Sequence, residues 1–263
     1  MLTITDLHVQ FRSRSHEAVK GISLQLADGE ILGLVGESGS GKTVTALTVS
    51  GLLNRRQAQC RGSVLLDGQE LLDCTERDWL SLRGNRIGVV FQEPMTALNP
   101  LLKIGVQVEE GLRVHSALSP QERRKRALEA LAAVDLREPE RVYRSYPHEL
   151  SGGMLQRVCI AAAIVTQPSL LIADEPTTAL DVTVQRQILQ LLRRINRETG
   201  TSILFISHNL AVVRRLCDRV AVMEKGRIVE EGTAEQIFEA PQADYTRMLI
   251  EAIPRRNERR SGA

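Results

Sequence analysis

The sequence predicts an α/β protein: a parallel sheet carrying helices, further strands toward the N-terminus, and an all-helical segment set into the alternation. Three observations predict it. The apolar run Ile31-Leu32-Gly33-Leu34-Val35 leads into Gly36-Glu37-Ser38-Gly39-Ser40-Gly41-Lys42-Thr43 and then into a helical pattern. Strand-like and helix-like runs alternate again after residue 166, as in a parallel sheet with packed helices. Between the two, from Ile104 to about Ile164, apolar positions recur at helical spacing with few β-branched runs.

The elements follow in order. Leu2 to Phe11 and Ala18 to Leu26 alternate apolar and polar residues and read as strands, and Ala27-Asp28-Gly29 turns the chain into a strand from Glu30 to Val35. The glycine-rich loop opens a helix from Lys42 to Leu53. A strand with a hairpin at Asp67-Gly68 comes next, then a strand from Arg86 to Phe91. Ser119-Pro120 and Glu138-Pro139 punctuate the helices of the insert. Leu170 to Ala173 is an apolar strand, Val182 to Arg197 a helix, Ser202 to Ile206 a strand and Leu210 to Leu216 a helix. The expected division is a core of 1–92 and 166–252, a helical part of 93–165, and a basic tail of 253–263.

Length and composition leave room for an enzyme. A chain of 263 residues, 25% charged and 43% hydrophobic, has the make-up of a soluble globular protein with a full core. Lys and Arg total 34 against 32 Asp and Glu, and the net charge of +2 gives no reason to expect nucleic acid as a partner. The four cysteines are scattered, with no C-x-x-C pair, and are expected as free thiols in a reducing cytosol. Met1-Leu2-Thr3-Ile4-Thr5-Asp6 lacks the features of a signal peptide, and no apolar run approaches the roughly 20 residues that span a bilayer. Any link to a membrane is therefore expected to run through partners. The tail Arg255-Arg256-Asn257-Glu258-Arg259-Arg260 reads as a solvated charge run.

The chemistry starts at Gly36 to Thr43, which fits G-x-x-x-x-G-K-[ST] between a strand and a helix, the context a phosphate-binding loop requires. Its glycines let backbone N–H groups turn toward phosphates, the helix N-terminus adds partial positive charge, Lys42 reaches the β- and γ-phosphates, and the Thr43 hydroxyl ligates magnesium. Leu170-Leu171-Ile172-Ala173-Asp174-Glu175 delivers two carboxylates to the end of an apolar strand, where ligands bind in such sheets. Alone, an acidic pair there is more often a turn or helix cap; beside a phosphate loop, Asp174 is expected to hold magnesium and Glu175 to polarise the attacking water. In Leu150-Ser151-Gly152-Gly153-Met154-Leu155-Gln156, Ser151 caps a helix and the glycines leave its first N–H groups open to an anion.

That last segment resembles the signature motif of ABC ATPases, L-S-G-G-Q in its common form, with Met154 in place of the glutamine. The resemblance covers Leu2 to about Ile253, with the motifs in the family's order. It implies a P-loop (RecA-like) ATPase core with an N-terminal antiparallel β subdomain and an inserted helical subdomain, using ATP and Mg2+. Gln92 resembles the glutamine that senses the metal and the attacking water. Ala179-Leu180-Asp181 resembles the loop whose aspartate contacts the opposite subunit, and His208 the switch histidine at the γ-phosphate. Phe11 occupies the place of the aromatic that stacks on adenine, with simple packing as the equal alternative. The family's head-to-tail dimer implies that Ser151, Gly152, Gly153 and Asp181 act on the partner's nucleotide. Two permease subunits and an extracytoplasmic binding protein are implied, with this subunit held at the cytoplasmic face of the membrane.

Phe91 to Pro100, Tyr146 to Met154, Ala173 to Asp181 and Tyr245-Thr246-Arg247-Met248-Leu249 together resemble the dipeptide, oligopeptide and nickel importer ATPases. The chain's brevity and Ser151 to Arg157 lean toward the nickel type. In this branch the second ATPase is commonly a paralogue. A DNA-repair type of ABC ATPase would insert a long coiled coil between Lys42 and Ser151, where no sustained heptads occur. A ribosome-acting type would carry two phosphate loops, and a purely regulatory subunit would lack Glu175 or His208. Hydrolysis coupled to transport is the expected activity.

Overall fold

Alternating apolar positions near the N-terminus become the antiparallel strands β1 (Leu2–Phe11) and β2 (Glu17–Leu26), followed by β3 (Ile31–Val35) and α1 (Lys42–Val49). The computed structural model describes residues 1–12, 17–178 and 180–253. The chain continues through β4 (Ala58–Leu66), β5 (Gln69–Glu70), α2 (Glu76–Leu82) and β6 (Ile87–Val90). A helical stretch follows: α3 (Pro94–Ala97), α4 (Ile104–Val108), α5 (Glu110–His115), α6 (Pro120–Ala133), α7 (Pro139–Arg144) and α8 (Gly152–Ile164). Alternation resumes with β7 (Leu170–Asp174), α9 (Val182–Thr199), β8 (Ser202–Ser207) and α10 (Leu210–Leu216). The hairpin β9 (Arg219–Glu224) and β10 (Arg227–Thr233) leads to α11 (Ala234–Glu239) and α12 (Asp244–Glu251).

One sheet has the order β2-β1-β4-β5 and is antiparallel; the other has the order β10-β9-β3-β8-β7-β6. In the second, β9, β3, β8, β7 and β6 run parallel and β10 closes one edge antiparallel. Both faces of its parallel part are covered, so the inner positions of those strands are apolar and alternate between two cores, while the edge strand β10 is largely polar. Ile31, Leu171, Ala173, Ile203, Phe205 and Val222 face one core. Leu32, Leu34, Ile172, Leu204, Ile206 and Met223 face the other, which also holds β1, β2 and β4.

The helical stretch shares the first core: Ile104, Val108, Leu131, Val142 and Leu155 form one apolar cluster with the sheet face. Ser119 starts α6 through a capping box, its hydroxyl accepting from the Glu122 N–H while the Glu122 carboxylate accepts from the Ser119 N–H. Close approach fixes α8 on β6, since a Cβ added at Gly88 would stand 2.4 Å from the Ala163 carbonyl oxygen.

Three features depart from the sequence expectation. The helix expected to reach Leu53 ends at Val49, because the Ser50 hydroxyl bonds back to the Ala46 carbonyl and the N–H groups of Leu52 and Leu53 both return to Leu47. The short helix α2, capped reciprocally by Thr75 and Asp78, was not anticipated. Nor was the β9–β10 hairpin: Lys225 and Gly226 at φ 47° and 90° turn the chain tightly, so the last strand enters antiparallel rather than through a helical crossover. Of the basic tail at 253–263, all but Ile253 lies outside the described residues. Among the described residues no helix is long and apolar enough to cross a membrane.

Candidate functional site

Four neighbouring parallel strands, β3, β8, β7 and β6, end on the same edge of the sheet. Each is followed directly by residues singled out from the sequence: Gly36 to Thr43 after β3, His208 after β8, Glu175 after β7, and Gln92 two positions beyond β6. Topology alone thus gathers positions far apart in sequence.

The loop between β3 and α1 needs its glycines. Gly36 sits at φ 151°, where an added Cβ would lie 2.1 Å from the Met223 carbonyl oxygen. Gly41, at φ 111°, would meet the Ala18 carbonyl oxygen at 2.7 Å. Lys42 is buried, and its ammonium donates to the carbonyls of Gly36 and Glu37, both at 2.8 Å, and to the Ser40 hydroxyl at 3.3 Å. Burial lowers its pKa, opposed by Glu175, Asp174 and Glu37. A cation and two carboxylates therefore share one desolvated corner.

Asp174 ends β7 with its Oδ1 buried and without a hydrogen-bond partner. Burial pushes its carboxyl above the ordinary value, reinforced by Glu175 and opposed by the Thr43 hydroxyl and by Lys42. Glu175 adopts φ 48°, a left-handed conformation that a side chain other than glycine adopts at a cost of about 1–3 kcal/mol. Its N–H donates to the Ile206 carbonyl on β8, its Oε2 accepts from the Thr178 hydroxyl at 2.9 Å, and its Oε1 lies 2.9 Å from His208 Nδ1. The strained backbone is held by bonds that aim the carboxylate at the histidine.

A cavity of about 600 Å³ opens here, lined by Gly36, Glu37, Ser38, Gly39, Gly41, Lys42 and Thr43 together with Gln92, Glu175 and His208. Ser40 is buried and not on the cavity wall. Four lining residues were not selected from the sequence: Ala18, Val44, Thr178 and Leu249. Thr178 and Leu249 stood within motifs that were quoted there; Ala18 and Val44 carry no chemical signal. Phe11 is not on the wall: it ends β1 opposite Ala58 and packs half-buried on the core between the sheets.

Ser151, Gly152, Gly153 and Asp181 also lie off this cavity. Ser151 and Gly152 are exposed at the start of α8, the Ser151 hydroxyl accepting from the Met154 N–H. Asp181 caps α9 by accepting from the N–H groups of Thr183 and Val184. These two helix starts touch, because Gly153 packs against Val184, where a Cβ would come within 2.8 Å. Arg157 fastens them further, donating to the Val134 carbonyl, Asp135 and the Gln187 side chain on α9. Ala179 lies outside the described residues.

A family model described as ABC transporter matches residues 19–178. The chain is 51% identical over 258 residues to the peptidoglycan transport ATP-binding protein YejF of Agrobacterium fabrum, covering 97% of this chain and 47% of that one. It is 45% identical over 257 residues to the oligopeptide transport ATP-binding protein OppD of Bacillus subtilis, covering 97% and 72%. The chain thus spans about half of the first of these relatives. Among solved structures, the dimeric ATP-binding cassette MJ0796 bound to ADP and Pi superposes with a TM-score of 0.79 at 32% identity, covering 89% of this chain and 99% of that one. The cbiO1 protein of Clostridium perfringens, part of the ABC transporter complex cbiONQ, gives 0.79 at 30% identity, covering 91% and 90%. The chain belongs to the ABC transporter family, and its fold is that of an ABC ATPase.

Proposed function

We propose that this ABC ATPase binds ATP at Gly36 to Thr43, hydrolyses it with Glu175 as the base, and so powers an importer whose cargo is a peptide. The observation that carries the reading is the Glu175–His208 pair, 2.9 Å apart on the cavity that the Lys42 loop lines. The loop N–H groups and Lys42 bind the β- and γ-phosphates, with the N-terminus of α1 adding partial positive charge. Glu175 takes the proton of the attacking water as its oxygen approaches the γ-phosphorus. His208 and Thr178 hold that carboxylate in place. Because a carboxylate only accepts, His208 Nδ1 is the donor in this contact.

Asp174 and Thr43, with Gln92, would hold Mg2+, and the fit rests on the Asp174 oxygen that is buried without a partner next to the Thr43 hydroxyl. One carboxylate, one hydroxyl and one amide oxygen would suit a hard cation that keeps waters; when bound it would neutralise phosphate charge. Ser151, Gly152, Gly153 and Asp181 serve the nucleotide of a second ATPase subunit, a paralogue in this reading. The dimeric state of the MJ0796 cassette supports that arrangement. Two permease subunits and an extracytoplasmic binding protein complete the assembly at the cytoplasmic face of a membrane, a reading supported by the transporter complex that contains cbiO1.

Peptide cargo is supported by relatives named for oligopeptide and peptidoglycan transport. For nickel, the support is the resemblance of Ser151 to Arg157. Uptake of a labelled oligopeptide and of nickel, measured in a strain lacking the chain, tests both. Peptide uptake is expected to be lost, restored by the parent chain, and not restored by Lys42→Ala; loss of nickel uptake with peptide uptake intact reverses the cargo.

A further inference from the structure

The segment Tyr245-Thr246-Arg247-Met248-Leu249 has no part in the reading above, yet it lies against the phosphate loop. The Tyr245 hydroxyl accepts the backbone N–H of Glu37 at 3.1 Å. One helical turn further along α12, Leu249 lines the same cavity as Lys42, Glu175 and His208. The Glu37 N–H and the Gly36 C=O belong to one planar peptide group, and these two atoms point in opposite directions. The Gly36 oxygen accepts from the Lys42 ammonium at 2.8 Å. A single amide is therefore held from both sides, by the Lys42 ammonium on one and the Tyr245 phenol on the other.

Beyond the Glu37 carbonyl, which accepts from the Lys42 ammonium and the Ser40 N–H, little holds that part of the loop. Ser38 and Gly39 are exposed, a Cβ added at Gly39 would meet nothing within 4 Å, and a second cavity of about 640 Å³ separates the crown of the loop from Tyr245 and Met248. Further along, the Ser40 carbonyl accepts from the Gly226 N–H at 2.9 Å. The helix that carries Tyr245 is itself anchored, because the Glu230 carboxylate on β10 accepts from the N–H groups of Gln242 and Ala243 at 2.7 and 3.0 Å. A fixed helix thus presents a fixed acceptor to the loop.

We propose that Tyr245 is a positioning residue for nucleotide: by holding the Glu37 N–H it fixes the Gly36–Glu37 peptide, and with it the placement of Lys42 and the loop. This rests on the reading that Gly36 to Thr43 binds ATP. Without the hydroxyl, the peptide is held from the Gly36 side alone, and ATP must order the Glu37 N–H side on binding. Tyr245→Phe keeps the ring and removes one acceptor, so KM for ATP rises about two- to tenfold, the worth of one hydrogen bond, while kcat changes less than twofold. Steady-state ATP hydrolysis by the full chain in its transporter complex, with the melting temperature of each variant, reads this split. A KM within twofold of the parent, or lower, overturns the proposal. So does a fall in kcat accompanied by a collapse of the melting temperature, which would mark Tyr245 as a packing residue. Lys42→Ala separates the two layers: if it leaves ATP binding intact, the nucleotide-site reading itself falls; if it abolishes binding while Tyr245→Phe changes nothing, only the role of Tyr245 falls.

Discussion

Asp174 illustrates what a single residue costs the fold and returns to function. Its folded pKa is raised above the unfolded value, chiefly by burial. The sign follows: where ionised, the group weakens the folded state, and that penalty fades as pH falls through the folded pKa. Asp174→Asn is therefore expected to raise the melting temperature of the ligand-free chain by a few degrees while lowering Mg2+-dependent hydrolysis, with thermal denaturation and ATPase assays as the checks. At this scale the sequence was informative wherever chemistry and spacing coincide: Lys42, Glu175, His208 and Gln92 all reach one cavity. It placed Thr178 and Tyr245 within family motifs but not their contacts: the Thr178 hydroxyl holds Glu175, and the Tyr245 contact with Glu37 spans 208 positions. No local pattern encodes a contact of that range. Phe11 was legible only as an aromatic, and an aromatic ending a strand packs as readily as it stacks.

Among the elements, the doubly covered strands were the most legible, because a strand buried on both faces must be apolar along its whole length. The early end of α1 and the β9–β10 hairpin were not, since side-chain bonds back to the helix and the Lys225-Gly226 turn decide them. Position Gly88 tests the packing of α8, the helix that carries the Ser151 motif. Gly88→Ala forces a Cβ against the Ala163 carbonyl and is expected to destabilise the chain by about 1–3 kcal/mol, read from urea denaturation. An unchanged midpoint would mean that α8 is free to shift from β6.

Across the whole molecule, the loop of Lys42 lines the cavity while the exposed helix start at Ser151 lies off it, and in the proposed reading the two are halves of different sites. The family resemblance supplied both halves and the proposal that they serve different nucleotides; the position of Ser151 off the cavity fits that proposal. Ser151→Arg is expected to leave ATP affinity of this chain's own loop within twofold, measured by calorimetry, while hydrolysis in the assembled pair falls about 100-fold. In the proposed reading, coupling to transport would come from ATP joining the two subunits and its hydrolysis releasing them. The central claim, that Glu175 is the base of an ATP-hydrolysing site, is tested most directly by the turnover of Glu175→Gln in the presence of Mg2+. ATP binding retained with turnover lowered at least about 100-fold is the predicted result; a variant that hydrolyses ATP as fast as the parent contradicts it.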